Sequence, residues 1–269
     1  MGRYFGMIHI YMSWASKRQA TYLSIVLFIC GLIIFAILYP IISAKPTCVD
    51  GKKNAGELGV DCGGVCMRLC SSQVSEPLVL WSRAFPVVPH TYNLVAFIEN
   101  QNKGGGVEQA SYEFRVYDTN NKLIGRRTGT TFIPPNQQFA ILEPRFETGQ
   151  SDVRSVSFGF TGSPVWMKKA PTLQTLPIRV GAGLVGDDSG SPTFTTQLSN
   201  QSIYDMPAFD AVVILYDADH NAIQASKTHK EGLVSNATTS LFFTWPEPLS
   251  SQPVTWDVFP MINPFSVSF

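Results

Sequence analysis

The sequence predicts a mainly β protein, in which an N-terminal single transmembrane helix is followed by a short disulfide-rich neck and two tandem β-sandwiches. Three observations predict it. Residues 22–42 form a charge-free apolar run, and residues 48–70 hold four of the five cysteines. Everything from Glu76 onward is strand-and-turn sequence whose order returns about 100 residues later.

The apolar run, YLSIVLFICGLIIFAILYPII, has 21 positions without a charge. At about 1.5 Å per residue it spans roughly 31 Å as a helix, close to a hydrocarbon core of about 30 Å. Tyr22 and Tyr39 lie near its ends, where aromatic rings favour the headgroup level. Lys17 and Arg18 before the run are nearly balanced by Lys45, Lys52 and Lys53 after it, with Arg3 and the lack of acids in residues 1–44 favouring a cytoplasmic N-terminus. The clustered cysteines that follow decide it, since disulfides require the exported side. Residues 1–21 are therefore expected in the cytoplasm, residues 22–43 in the bilayer, and the remainder outside. The run is too long for the h-region of a cleaved signal peptide, and Ile42 and Ala44 make a poor cleavage site. Cys30 reads as a thiol in apolar surroundings.

Net charge is zero over 269 residues, which gives no basic face for a nucleic acid. Only 15% of residues are charged, while Phe, Tyr, Val, Thr, Gly and Pro abound, a composition that suits β domains.

The neck, residues 45–72, holds Cys48, Cys62, Cys66 and Cys70, separated by 13, 3 and 3 residues. Zinc knuckles usually come in pairs of C-x₂₋₄-C, and only the second half could form one. An even, clustered set just beyond a membrane segment points instead to two disulfides in an oxidising compartment. Four cysteines allow three pairings, and the sequence does not choose among them. Asp50, Asn54, Glu57 and Asp61 recur through the same Gly-rich loop and are hard oxygen ligands of the kind Ca²⁺ takes. The competing reading is that they cap turns by accepting backbone N–H groups. The string C-x-D-G-x-x-N-x-G-E-x-G-x-D-C-G-G-x-C resembles a short Cys-rich motif of exported and surface-anchored, mostly bacterial proteins. It departs from that motif at Val65, where proline is common, and by one extra residue before Cys70. The resemblance implies location and a spacer role between a membrane segment and β domains.

Beyond the neck, runs such as LVLWSRAFPVV, NLVAFIEN and ASYEFRVYD alternate or stay apolar for a few residues, then stop at Gly, Pro, Asn or Asp. FIENQN (97–102) then matches TQLSNQS (196–202), and FRVYDTNNKLI (114–124) matches VILYDADHNAI (213–223). Asn136–Leu142 matches Asn236–Phe243, and VRSVSFGF (153–160) matches PVTWDVFP (253–260). This is a twofold repeat of a module with six or seven strands, predicted to occupy residues 76–167 and 173–269. A unit of this size fits an immunoglobulin-like sandwich. The expected cores are Phe97, Phe114, Val116, Phe139 and Phe158 in the first copy, and Leu198, Val213, Leu215, Phe242 and Trp256 in the second. FRVYD and VILYD resemble the FxLYD domain family and related Ig-like modules. That implies a β-sandwich of an envelope or secreted protein, and no catalytic residue. Residues 168–177 read as a linker. The G-x-G-x-x-G at Gly181, Gly183 and Gly186 lacks the helix a dinucleotide fold needs.

Catalytic chemistry is not evident. His9, His90, His220 and His229 are scattered, and no nucleophile elbow, zincin motif or carboxylate pair stands out. The DADHN turn (217–221) reads as solvated. Asn200-Gln201-Ser202 and Asn236-Ala237-Thr238 fit the glycosylation sequon. The expectation is a non-enzymatic, single-pass membrane protein without a cofactor. It displays its sandwiches outside the cytoplasm for envelope scaffolding, adhesion or protein–protein interaction, with an envelope protein or a glycan as partner. The alternative is a calcium-responsive surface binding module.

Overall fold

The computed structural model describes residues 14–43, 47–54, 56–169, 177–188 and 190–266. Two compact units divide the chain, Met1–Asp50 and Gly51–Phe269. The linker expected at 168–177 lies mostly outside the described residues.

In the first unit, α1 runs from Trp14 to Ser43. It starts eight residues before Tyr22, because Ala20 and the long side chains of Lys17, Arg18 and Gln19 are good helix formers. Arg18 also lies over the Trp14 ring four residues earlier, 4.8 Å from its centroid. Pro40 falls in the last turn, where few intrahelical bonds are lost. Trp14–Pro40 is long and apolar enough to cross a membrane, and none of its most apolar window is buried by protein.

The second unit is mainly β. Its strands are β1 (Leu78–Val88), β2 (Thr91–Asn100), β3 (Gly105–Asp118), β4 (Leu123–Ile133), β5 (Gln137–Glu147), β6 (Val153–Thr161) and β7 (Trp166–Lys168). These are followed by β8 (Ile178–Val180), β9 (Leu184–Asp188), β10 (Ser191–Asn200), β11 (Phe209–Tyr216), β12 (Ala222–Lys230), β13 (Thr238–Thr244) and β14 (Thr255–Met261). The first seven make two sheets, β1-β2-β5 and β4-β3-β6, with β7 added to β3. The last seven repeat that plan as β13-β10-β8, with β9 also on β10, and β12-β11-β14. Order and antiparallel pairing correspond strand for strand from β2/β10 to β6/β14.

Each pair of sheets closes on its own core. Leu94, Phe114, Val116, Ile133 and Phe139 fill the first, and Phe194, Leu198, Val213, Leu215, Leu241 and Phe243 fill the second. A third cluster joins the sandwiches face to face. Phe85, Val95, Ala140 and Leu142 on β1-β2-β5 meet Val212, Ile214 and Ala225 on β12-β11-β14. The pleat explains the sorting: Leu94, Ala96 and Ile98 point into the first core, while Val95 and Phe97 point at the second sandwich. The Phe97 ring accordingly packs on Phe259, 5.3 Å between centroids, and is not in its own core as expected. Asn93 Nδ2 donates to the Ala225 carbonyl (3.3 Å) and Gln224 Nε2 to the Pro86 carbonyl (2.7 Å), closing the seam with polar ties.

A second expected core residue is also on the other face. Phe242 is 60% exposed, and its neighbour Phe243 is 1% exposed in the second core. A shift of one residue along a strand exchanges the two faces, and two adjacent phenylalanines hide which one points inward.

The neck is part of this unit from Gly51 on. Leu69 N donates to the Trp166 carbonyl (2.9 Å) and Lys168 N to the Met67 carbonyl (2.7 Å), so the neck pairs with β7, and Leu69 packs on the first core. Gly64 has φ +56°, and a Cβ there would lie 1.9 Å from the Gly56 carbonyl oxygen. The chain crosses itself at that point, which only glycine permits.

Candidate functional site

The neck cysteines Cys48, Cys62, Cys66 and Cys70 are all in disulfides, and Cys62 is bonded to Cys70. Of the acids read as calcium ligands, Glu57 is 5% exposed. Its Oε2 accepts from Asn54 N (3.3 Å) and Asp61 N (3.2 Å), while Oε1 lies 3.2 Å from Cys66 Sγ. That sulfur has no proton and no free thiolate, so it is a neighbour rather than a ligand. Both Asp61 oxygens accept from Gly51 N, each at 3.0 Å. Asp50 Oδ2 accepts from Thr47 N at 3.3 Å. In this arrangement the carboxylates serve as caps of tight turns, with N–H donors aimed at them.

A second constellation was not legible in the sequence. Where the first sandwich opens at its edge strands β4 and β5, the second sandwich closes across it and leaves a cleft of about 480 Å³. Thr130, Phe132, Leu142 and Glu143 line it from the first module; Asp210, Val212, Lys227, His229, Met261 and Asn263 line it from the second. Tyr112 reaches it from β3, across β4 at Gly129, where any Cβ would lie 2.4 Å from the phenol oxygen.

The polar groups are paired across strands. The Tyr112 hydroxyl donates to Glu143 Oε1 at 2.5 Å, and Arg127 Nε stands 3.8 Å from Glu143 Oε2. Burial pushes the Tyr112 phenol above its ordinary value, and the hydrogen bond to Glu143 adds to the shift. Asp210 is held on both sides, by Lys227 Nζ at 3.1 Å and His229 Nδ1 at 2.8 Å. Burial pushes its carboxyl up, but hydrogen bonds and charge from His229 and Lys227 outweigh that and leave it below the ordinary value. The cluster thus mixes hydrogen-bond acceptors and donors above an apolar floor, with its charges compensated internally.

The remaining candidates stay apart. In the DADHN turn, Asp217 Oδ1 accepts from Asp219 N (2.9 Å) and Asn221 N (2.8 Å), a capped turn. The run from Gly181 to Gly186 leads from β8 into β9 with no helix, and Gly183 packs where a Cβ would meet the Phe194 ring at 2.3 Å. Of the two sequons, Asn200 is 1% exposed with its amide bonded inside the fold, while Asn236 is exposed. One signal for the cleft does exist in the sequence: Lys227 and His229 are two apart on β12, hence on one face. Only the pairing of Asp210 with His229 across β11 and β12 completes the group.

No protein-family model and no curated protein matches the sequence. Solved structures with a likeness include red sea bream transglutaminase, at 10% identity over 70% of this chain and 29% of that one, with a TM-score of 0.23. Another is a β-glucuronidase from glycoside hydrolase family 2, at 12% identity over 75% of this chain and 25% of that one, with a TM-score of 0.19. The chain spans less than a third of the length of either, and likeness at this level carries no argument about fold or activity.

Proposed function

We propose that the chain is a non-enzymatic, single-pass membrane protein. Its helix α1 anchors it with the N-terminus in the cytoplasm, and the neck and paired sandwiches stand outside as a binding or scaffolding element of the cell envelope. The observation that carries this reading is the order of two incompatible surroundings along the chain. Side chains such as Phe28 and Phe35, 68% and 61% exposed, ask for lipid. Within a few residues of the helix end begins a segment whose four cysteines are all oxidised, which asks for an exported compartment. The resemblance of the neck to motifs of surface-anchored proteins points the same way. So does the rigid pairing of the sandwiches, which holds their edges and loops in one orientation as a display surface would.

The test is fractionation and thiol labelling of cells expressing the full chain. The protein should stay in the membrane pellet through alkaline carbonate washing. A membrane-impermeant protease should degrade the β modules in intact spheroplasts. After denaturation without reductant, maleimide should label Cys30 alone. Release by carbonate, protection of the modules, or labelling of the neck cysteines would each overturn the reading.

A further inference from the structure

The cleft between the sandwiches has the chemistry of a ligand site rather than of a packing defect. Its volume of about 480 Å³ lies within the range of roughly 300–1,000 Å³ of small-molecule pockets, which favour domain junctions. Neither sandwich forms it alone: Glu143 comes from β5, Asp210 and His229 from β11 and β12, and Asn263 from the chain after β14. The hydrophobic seam fixes those walls against each other, so the site is preformed.

Charge decides what fits. Asp210 already has Lys227 and His229, and Glu143 has the Tyr112 hydroxyl and Arg127. An anion or a cation would have to displace one of these partners and leave the other without its counter-charge. A neutral ligand need not. The carboxylates keep lone pairs for incoming hydroxyls, while Lys227, Asn263 and the second His229 ring nitrogen can act as donors. Phe132 and Met261, both half-buried at the cleft, offer apolar surface to a face of C–H groups. Alternating hydroxyls and a C–H face on one rigid ring are the features of a sugar. An extended peptide would find hydrogen bonds along the β4 edge but would make no use of the paired acids.

We propose that the inter-module cleft binds a neutral saccharide of one or two rings. The proposal rests on the reading of the chain as a binding protein and supplies its partner class.

The experiment uses the full chain in polyoxyethylene-ether micelles, which carry no sugar. Saturation-transfer difference NMR is recorded with cellobiose, maltose and N,N′-diacetylchitobiose, with glucuronate and inorganic phosphate as charged comparators. At least one neutral disaccharide should give transfer, and the charged probes none. Asp210→Asn and Glu143→Gln should each weaken that signal about tenfold in apparent Kd, as loss of a charged hydrogen-bond acceptor does. Each variant should still unfold in one cooperative transition, at most slightly below that of the parent; should either fail to fold, Thr130→Val, at an exposed wall position, takes its place. No transfer from any neutral probe, equal transfer from the charged ones, or transfer untouched by the substitutions overturns the site. Saturation transfer to an extended Ser/Thr-rich peptide, lost in Asp210→Asn, without transfer to any sugar overturns it in favour of a peptide groove. If a disaccharide binds and is cleaved, the site stands and the non-enzymatic reading falls. If nothing binds while the chain still fractionates as an anchored, exported protein, the site falls and the anchor reading stands.

Discussion

Each sandwich buries an asparagine at the same corner, and among the described residues the two corners differ in what is tied to them. Asn100 and Asn200 are both 1% exposed. Asn100 Nδ2 donates to the carbonyls of Gly105 (2.9 Å) and Pro134 (2.7 Å), and Asn200 Nδ2 to those of Tyr204 (2.8 Å), Leu233 (3.1 Å) and Val234 (3.1 Å). Two residues on, Asn102 and Ser202 both donate to the corner oxygen, Asn102 Nδ2 to Asn100 Oδ1 at 2.7 Å and Ser202 Oγ to Asn200 Oδ1 at 2.6 Å. The copies part in the second partner. Asn102 also clasps Ser75, accepting from its N–H at 2.8 Å and donating to its carbonyl at 2.7 Å, so the incoming neck is tied down. Ser202 Oγ instead shares its proton with the Tyr204 carbonyl of its own loop, at 2.9 Å. Among the described residues, Ile203 and Val234 beside the second corner are 78% and 60% exposed. The outer sheets differ too. The first carries the ion-paired Glu113, Arg115 and Arg126. The second shows an uncharged row, Leu184–Thr195–Phe242, aligned across β9, β10 and β13. What the copies share satisfies buried main chain; what they do not share decides which surface is covered.

The largest effect expected from breaking this comparison lies in the second core. Phe243→Ala should cost about 3–5 kcal/mol, as truncating a buried aromatic does. Phe242→Ala, one residue away on the exposed face, should stay within about 0.5 kcal/mol. Urea unfolding of the detergent-solubilised chain, followed by tryptophan fluorescence, separates them. Equal losses would mean that something covers the outer face.

Next come the corner asparagines. Asn200→Ala and Asn100→Ala each remove the amide contacts to loop carbonyls, and with Oδ1 the acceptor of the Ser202 or the Asn102 N–H. We expect about 2 kcal/mol for Asn200→Ala and somewhat less for Asn100→Ala, because the Ser202 N–H left without its acceptor is buried and that of Asn102 is half-buried. Because the seam joins the sandwiches, either variant should shift one common transition. A variant that splits it in two would show that the seam is weaker than its buried residues imply.

Several of these features were legible beforehand, and the reason differs from case to case. The apolar helix and the oxidised cysteines are local in sequence. The twofold repeat was legible because YD turns and the corner asparagines recur at nearly constant spacing. The seam also left a trace: β2 and β11 read as continuous apolar runs, LVAF and AVVIL, where a sheet with one solvated face would alternate. The sorting of Phe97, and of Phe242 against Phe243, was not legible. Register sets the face, and adjacent aromatics erase the period that would reveal it. Nor was the cleft: its Asp210–His229 pair depends on the β11–β12 register, and its Tyr112–Glu143 pair on β3 and β5 meeting from different sheets. The neck acids were ambiguous because capping a turn and ligating a hard cation call for the same side chains.

The hairpin turns offer a smaller test of how far the copies match. Asp118 Oδ1 accepts from Asn120 N and Lys122 N, at 2.8 and 2.9 Å, as Asp217 Oδ1 does from Asp219 N and Asn221 N. Asn121 and His220 both take positive φ, 60° and 57°. Asp118→Ala and Asp217→Ala should therefore lower the melting temperature by similar small amounts. His220→Gly should raise it slightly by relieving a strained φ, and a fall would mean that the imidazole has a role beyond the turn.

The smallest expected effect belongs to the cleft and tests whether its ion cluster holds the sandwiches together. The Asp210 carboxyl titrates below its ordinary value of 3.8 in the folded protein. A carboxyl depressed on folding contributes stability that is present above the unfolded value and is lost as the pH falls through the folded one. Asp210 is 38% exposed, so solvent screening limits the contribution to a few tenths of a kcal/mol. The melting temperature of the parent minus that of Asp210→Asn should thus be small, positive and flat from neutral pH down to about 4. It should close as the pH drops further, since the parent then also carries a neutral side chain. Added salt should narrow the gap at neutral pH, because the Lys227 partner is partly solvated. A gap that persists in acid and ignores salt would assign Asp210 a packing role, leaving the seam of Val95, Leu142, Val212 and Ile214 to hold the sandwiches together without help from charge.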